Sequence, residues 1–203
     1  MTIRESLLLV VLVGGAFQAF GACGDDPANL MQFSNCGFDL NTSGWTLIDG
    51  DLFVQHPGEG YSEPGAGYVE PKYYDVLTRY EFQLDGPCVS VLNFTEYEIG
   101  GYGKSSGNMT CFVSLFEYSG ASCTGWLAGC GGPGHTSFGG WTLVENSCTT
   151  TATTQSARLH FYCQNSSLFQ ALLDDAFIVK YVPPIFEDDF ENGNTLAWTA
   201  TVP

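Results

Sequence analysis

Apolar and polar side chains alternate with a period of two through the clearest windows of this chain. Tyr80, Phe82 and Leu84 are interleaved with Glu81, Gln83 and Asp85, and Ala157, Leu159, Phe161 and Cys163 with Arg158, His160, Tyr162 and Gln164. An extended backbone points successive side chains to opposite faces, so each window predicts a strand buried on one side. Val89 to Ile99, Thr110 to Tyr118 and Leu172 to Val182 carry apolar residues on both faces, as the inner strands of two stacked sheets do. Clusters of Gly, Pro, Ser and Asn, among them Pro57-Gly58-Glu59-Gly60 and Gly131-Gly132-Pro133-Gly134, break these runs as turns. No ten-residue window carries the 3.6 period convincingly; Ser166 to Leu173 comes nearest to a helix. Short strands at turn-separated spacing, in a chain with 25 glycines, predict an all-β fold: a two-sheet antiparallel β-sandwich of jelly-roll type.

The chain also echoes itself. Gly44-Trp45-Thr46-Leu47-Ile48 returns as Gly140-Trp141-Thr142-Leu143-Val144, and each copy is expected to open a strand with a buried tryptophan. Phe38-Asp39 followed by Trp45-Thr46 returns as Phe190-Glu191 followed by Trp198-Thr199. The second copy follows Pro183-Pro184, which interrupts strand pairing, so residues 183–203 read as a tail outside the domain. At the other end Arg4 and the apolar run Leu7 to Val13 read as an export signal over residues 1–21, too short to span a bilayer as a helix. Two cuts fit: Ala19-Phe20-Gly21 is a small-x-small site, and Phe20-Gly21-Ala22-Cys23 resembles a lipobox that would anchor Cys23 to lipid. Residues 22–182 then form one β domain, expected to be extracellular, either secreted or lipid-anchored at Cys23.

Charge narrows the partners. The chain has 22 acidic and 6 basic residues, and the signal removes Glu5 and Arg4, so the mature chain keeps a net charge of −16. Such a field repels phosphate backbones and anionic lipid, so nucleic-acid and membrane-surface roles are disfavoured, and no nucleic acid and no membrane insertion are expected, while neutral polymers and cations suit it. In an exported chain the eight cysteines are expected to form disulfides, since no Cys-x-x-Cys spacing suggests zinc. Cys123 and Cys130 are expected to close a local loop around Trp126. The sequons at Asn41, Asn93, Asn108 and Asn165 matter only in a host that glycosylates them.

The order of signals is informative in itself: Asn35-x-Gly37-Phe38-Asp39 and Gly44-Trp45 early, Tyr80-x-Phe82 in mid-chain, Gly140-Trp141 late, then Ser156-Ala157-Arg158-Leu159 and Asp174-Asp175 before a final strand. From Asn29 to Val182 this resembles the galactose-binding-domain-like jelly rolls, notably the calcium-containing carbohydrate-binding modules. The tail from Asp188 to Trp198 resembles a short C-terminal motif of exported bacterial proteins. The resemblance implies a structural calcium held by Asp39 and Asp174, with Asp175 as the alternative that strand register would choose between. It also implies aromatic platforms for sugar rings, with carboxylates and amides taking the hydroxyls. Trp45 and Trp141 match the family's structural tryptophans. The aromatic candidates left are Tyr61, Tyr68, Tyr73, Tyr74, Tyr102 and Trp126, beside the acids Glu63, Glu70 and Asp75.

A glycosidase reading gains little. Glu96 and Glu98 share a strand face within roughly 7 Å, but catalytic carboxyls face each other across a cleft from different elements. His56, His135 and His160 show no metal spacing, and Gly-x-Ser-x-Gly is absent. The expectation is an exported, non-catalytic glycan-recognising module; the alternative is a structural or adhesive surface protein that binds a protein partner or matrix.

Overall fold

The structure is a computed structural model that describes residue 23 and residues 26–62, 65–137 and 139–182. The expected export signal over residues 1–21, the expected tail over residues 183–203 and the candidate Glu63 lie outside the described residues. Among the described residues every regular element is a strand, and the strands form two antiparallel sheets stacked as a sandwich. One sheet has eight strands: β1 (Thr46–Asp49), β4 (Lys72–Tyr74), β5 (Arg79–Asp85), β6 (Val89–Ser90), β8 (Met109–Tyr118), β9 (Trp126–Gly131), β10 (His135–Ser137) and β12 (Ser156–Asn165). The other runs β11 (Thr142–Thr149), β7 (Glu96–Ser105), β13 (Ala171–Lys180), β3 (Gly65–Glu70) and β2 (Leu52–Pro57). The chain passes between layers repeatedly, since β11, β12 and β13 fall in alternate sheets.

Period-two burial places the core between the layers. Along β8 buried and half-buried residues alternate without interruption, with Met109, Cys111, Val113 and Leu115 inward. Phe82 and Leu84 of β5 and Leu159 and Phe161 of β12 meet Tyr97 and Ile99 of β7 and Val144 of β11 in one cluster. Two expectations change. Val89 to Ile99 is not one strand: after β6 the chain leaves the large sheet, exposes Leu92 and Phe94 in a turn with Phe94 at φ 48°, and joins the small sheet as β7. Ser166 to Leu173 is no helix; its second half opens β13, with Phe169 buried.

The N-terminal segment is fastened along β13. Asn29, which is buried, donates from its amide to the Cys23 and Ala176 carbonyls, and its Oδ1 accepts from the Met31 and Ile178 amides. The Ala176 amide donates to the Cys36 carbonyl at 3.0 Å, which draws β13 away from β7 and accounts for the irregular register between Asp174 and Phe177.

All eight cysteines are paired: Cys23–Cys36, Cys88–Cys123, Cys111–Cys163 and Cys130–Cys148. The expected Cys123–Cys130 loop is therefore wrong. Cys123 sits in the turn after β8 and Cys130 lies up β9, where the four steps from Trp126 alone advance an extended chain about 13 Å, beyond disulfide reach. Cys130 instead ties the large sheet to Cys148 of the small one, and Cys111–Cys163 links residues directly opposite each other on β8 and β12. The Cys23 sulfur that a lipid anchor would need is engaged with Cys36.

Candidate functional site

The polar phase of β5, β12 and β8 faces outward from the large sheet, and several positions that alternation would give to plain polar residues hold rings instead. Tyr162 lies directly opposite Phe112, and Arg158 opposite Phe116. The Phe112 and Tyr162 rings are stacked with centroids 5.8 Å apart, and Phe116 lies nearly parallel to His160 at 4.2 Å. These are half-buried rings in two pairs across the central strands, with His160 the more deeply set. Glycines on the neighbouring chain give them room. A Cβ on Gly134 would stand 2.9 Å from the Phe112 ring, and one on Gly129 would stand 3.2 Å from that of Phe116.

Charged groups of the same phase form two networks beside the rings. Asp85 Oδ1 lies 2.7 Å from His160 Nδ1, and Arg158 Nη1 approaches the other Asp85 oxygen at 4.0 Å. The Arg158 Nε is buried without a hydrogen-bond partner, although the side chain as a whole is about a third exposed at 32%. At the other end Arg79 Nε donates to Glu81 at 2.6 Å, and the Tyr162 hydroxyl lies within 3.0 Å of both Glu81 and Gln164. Burial first, and then the hydrogen bond to Glu81, push the Tyr162 hydroxyl up to about 12, so it stays protonated and can donate across the physiological range. The face therefore offers flat apolar area flanked by oriented donors and acceptors.

The aromatic residues expected from the sequence divide between the two sheets. Tyr61 and Tyr102 meet on the small sheet, rings parallel within 12° and 3.5 Å apart, with Trp141 edge-on to Tyr61. Burial and the Tyr61 hydroxyl raise the Tyr102 pKa well above the usual phenol range. Trp141 thus departs from its expected core role: it is half-buried beneath Lys104, whereas Trp45 is in the core against Phe38 and Phe161. Tyr68 donates its hydroxyl to Glu70. Tyr73 and Tyr74 belong to β4 at the flank of the large sheet, where Tyr73 packs on Tyr80 and Tyr74 bonds to Asp49. Trp126 stands 64% exposed on β9, at the end of the large sheet opposite β4. Phe112, Phe116, His160 and Tyr162 were not candidates at all; the available signal was aromatic residues occupying the polar phase of a period-two strand.

Two of the three aspartates of the expected metal site, Asp39 and Asp174, approach one point beside Gly37, and Asp175 follows Asp174 in the chain. A Cβ on Gly37 would stand 3.2 Å from the Cys23 Sγ, 3.3 Å from Asp39 Oδ2 and 3.6 Å from Asp174 Oδ1, so the glycine lets the two acids approach the same tightly packed point. Asp174 accepts from the Tyr61 amide at 2.5 Å and the Asp175 amide at 2.8 Å, while Asp175 takes the Cys23 amide on one oxygen and leaves Oδ2 buried without a partner. Burial raises Asp174 from 3.8 to about 7, with the Asp175 and Asp39 charges adding to the rise. Among the described residues no three His, Cys, Asp or Glu side chains already stand in a metal-holding group, so a cation here would draw on carbonyl oxygens as well. The orphaned Asp175 oxygen, close to the point that Asp39 and Asp174 share, is compatible with one.

No family model and no curated protein sequence matches the chain. Solved structures do. TmCBM61 in complex with β-1,4-galactotriose superposes with a TM-score of 0.56 at 13% identity, over 75% of this chain and 99% of that one. This chain has the fold of a carbohydrate-binding module. The N-terminal cellulose-binding domain of Cellulomonas fimi β-1,4-glucanase C matches at 0.51 and 15%, over 72% and 95% of the two chains. The enzymatically active domain of a tailspike protein from bacteriophage CBA120 matches at 0.57 and 12%, over 76% of this chain but 22% of that one. The likeness is one of fold, and the same sandwich occurs both in binding modules and within a catalytic chain.

Proposed function

We propose that this protein is an exported, non-catalytic glycan-binding module whose platform is the outward face of β5, β12 and β8. The observation that carries the reading is the pair of parallel ring contacts, Phe116 on His160 and Phe112 on Tyr162, set side by side across two adjacent strands. A pyranose presents a C–H face that rests on such rings, and its hydroxyls need donors and acceptors fixed at the rim. Asp85, Glu81, Gln164 and Arg158 supply them, already braced by one another. The net charge of −16 favours neutral polysaccharide over acidic polymers. Support for a binding role over hydrolysis comes from Glu81 and Asp85, the two acids of this face. They are four residues apart on one strand, about 13 Å, whereas glycosidase pairs stand about 5 to 9.5 Å apart.

The reading includes a structural calcium at Asp39 and Asp174, with Asp175 beside them, supported by the approach of the Asp39 and Asp174 oxygens to one point beside Gly37 and by the unpaired Asp175 oxygen. The ion would offset carboxylate charge at this point and so lock the N-terminal segment to β13. Four disulfides fit a chain that folds in an oxidising compartment, which supports export.

Native affinity electrophoresis through soluble galactan, xylan and β-glucan tests the binding claim. At least one polymer should retard the full chain, and Phe116→Ala should reduce that retardation while keeping its near-UV circular dichroism. Retardation of the folded variant equal to that of the wild type would remove the platform from the account.

A further inference from the structure

The small sheet carries an outward groove of its own. His56 of β2, Tyr68 of β3, Leu172 of β13 and Lys104 of β7 line a cavity of about 370 Å³, with Ser106 and Gln170 at one end. Register explains the alignment: Leu172 is opposite Tyr68 on one side and Lys104 on the other, so three neighbouring strands present one row. Two residues before Lys104, Tyr102 stands in its stack with Tyr61, which forms a wall of rings next to the row. The volume lies within the ~300–1,000 Å³ of small-ligand sites.

The lining decides what fits. Lys104 is matched by Glu59 at 3.4 Å and lies over Trp141, and the Glu70 carboxylate is held by the Tyr68 hydroxyl. The two charged side chains that line the cavity, Lys104 and Glu59, therefore offset each other, in a protein whose overall field repels anions. What is left to engage a ligand is ring surface, the Gln170 amide, the Ser106 hydroxyl and His56, whose Nδ1 is buried without a hydrogen-bond partner. Ring faces with neutral donors and acceptors suit a polyhydroxylated, uncharged molecule.

We propose that this groove is a second saccharide site, which would let one chain hold two neutral glycan strands on opposite faces of the sandwich. The inference extends the reading of the large sheet but stands on different residues, so each can fail alone. The test uses the full chain with galactan, xylan and β-glucan, in affinity electrophoresis and in turbidity assays of polysaccharide cross-linking. Tyr68→Ala is paired with Gln170→Ala, an exposed position, in case the first disturbs β3. The wild type should cross-link a polymer, and each of Phe116→Ala, Tyr68→Ala and Gln170→Ala should weaken cross-linking at least tenfold. The Phe116→Ala chain should still be retarded, and the Phe116→Ala/Tyr68→Ala double variant should not. Unchanged cross-linking in both groove variants, or loss of all binding in Phe116→Ala alone, overturns the second site and leaves the platform standing. Binding that survives Phe116→Ala but vanishes in Tyr68→Ala supports the groove and removes the platform. A chain that binds none of the three polymers overturns both.

Discussion

The two outward faces of this sandwich are made by the same rhythm and end up as different surfaces. On the large sheet, β5, β8 and β12 contain no glycine, every outward position carries a side chain, and the rings lie paired with charge networks at their flanks. On the small sheet the segment before β3 crosses the face: the Tyr61 amide reaches Asp174, Tyr61 stacks on Tyr102 and Glu59 meets Lys104. The rings there form a wall, and the strand row beyond it is left as a groove. Outward aromatics thus become a platform or a wall according to which chain crosses above them.

The largest effect that bears on this contrast should come from Cys130→Ser with Cys148→Ser, which cuts the covalent link between the sheets. A loop of that size contributes about 3 kcal/mol, so urea unfolding should shift by roughly that much. Both faces should lose ligand together as the denaturant rises; independent melting of one face would show two separable layers instead of one sandwich. Next, Phe116→Ala should weaken the platform about tenfold, or ~1.4 kcal/mol, in a calorimetric titration with an oligosaccharide of the polymer that binds. Tyr68→Ala should leave that affinity untouched.

The acid cluster gives a pH-dependent prediction of moderate size. Asp174 is raised from 3.8 to about 7 in the folded chain, so between those values the folded state holds a proton that the unfolded chain has released. Its contribution is fully present below pH 3.8 and is lost as the pH rises to about 7. In EDTA the melting temperature should therefore fall over that interval; calcium should restore it at pH 7 and do little at pH 4. Asp174→Asn should flatten both responses. A melting temperature in EDTA that rises from pH 4 to 7, and continues to do so in Asp174→Asn, would contradict the assignment. The smallest effect is expected from Gly134→Ala, whose new methyl would press on the Phe112 ring. A roughly threefold loss, about 0.6 kcal/mol, should appear at the platform and none at the groove. An equal loss at both faces would mean that the substitution acts through the whole fold.

Much of this was legible from residues alone, and the failures have physical causes. The alternation in Tyr80 to Asp85 and Ala157 to Gln164 marks β5 and β12 within a residue or two, because a half-buried strand must repeat every second position. Asp39 and Asp174 were paired through a family resemblance, and their oxygens both lie close to Gly37. The disulfide guess failed because nearness in sequence says little where an extended strand carries Cys130 away from Cys123. The sugar-binding candidates were drawn from expected loops and so left out the rings of β8 and β12. Aromatics in Gly- and Pro-rich loops attract notice, while Phe112, Phe116 and Tyr162 look like ordinary strand residues until their face is known.

By itself, then, the sequence determined that the chain is all-β, that its strands have one buried face, that it is acidic and that its cysteines pair. Each of these follows from local periodicity, charge or chemical type. The tertiary structure alone decided which cysteines pair, that Trp141 stays outside the core while Trp45 enters it, and which outward rings become neighbours. Those outcomes depend on register between strands far apart in the chain and on which segment crosses which sheet, and neither is written in any single stretch of residues.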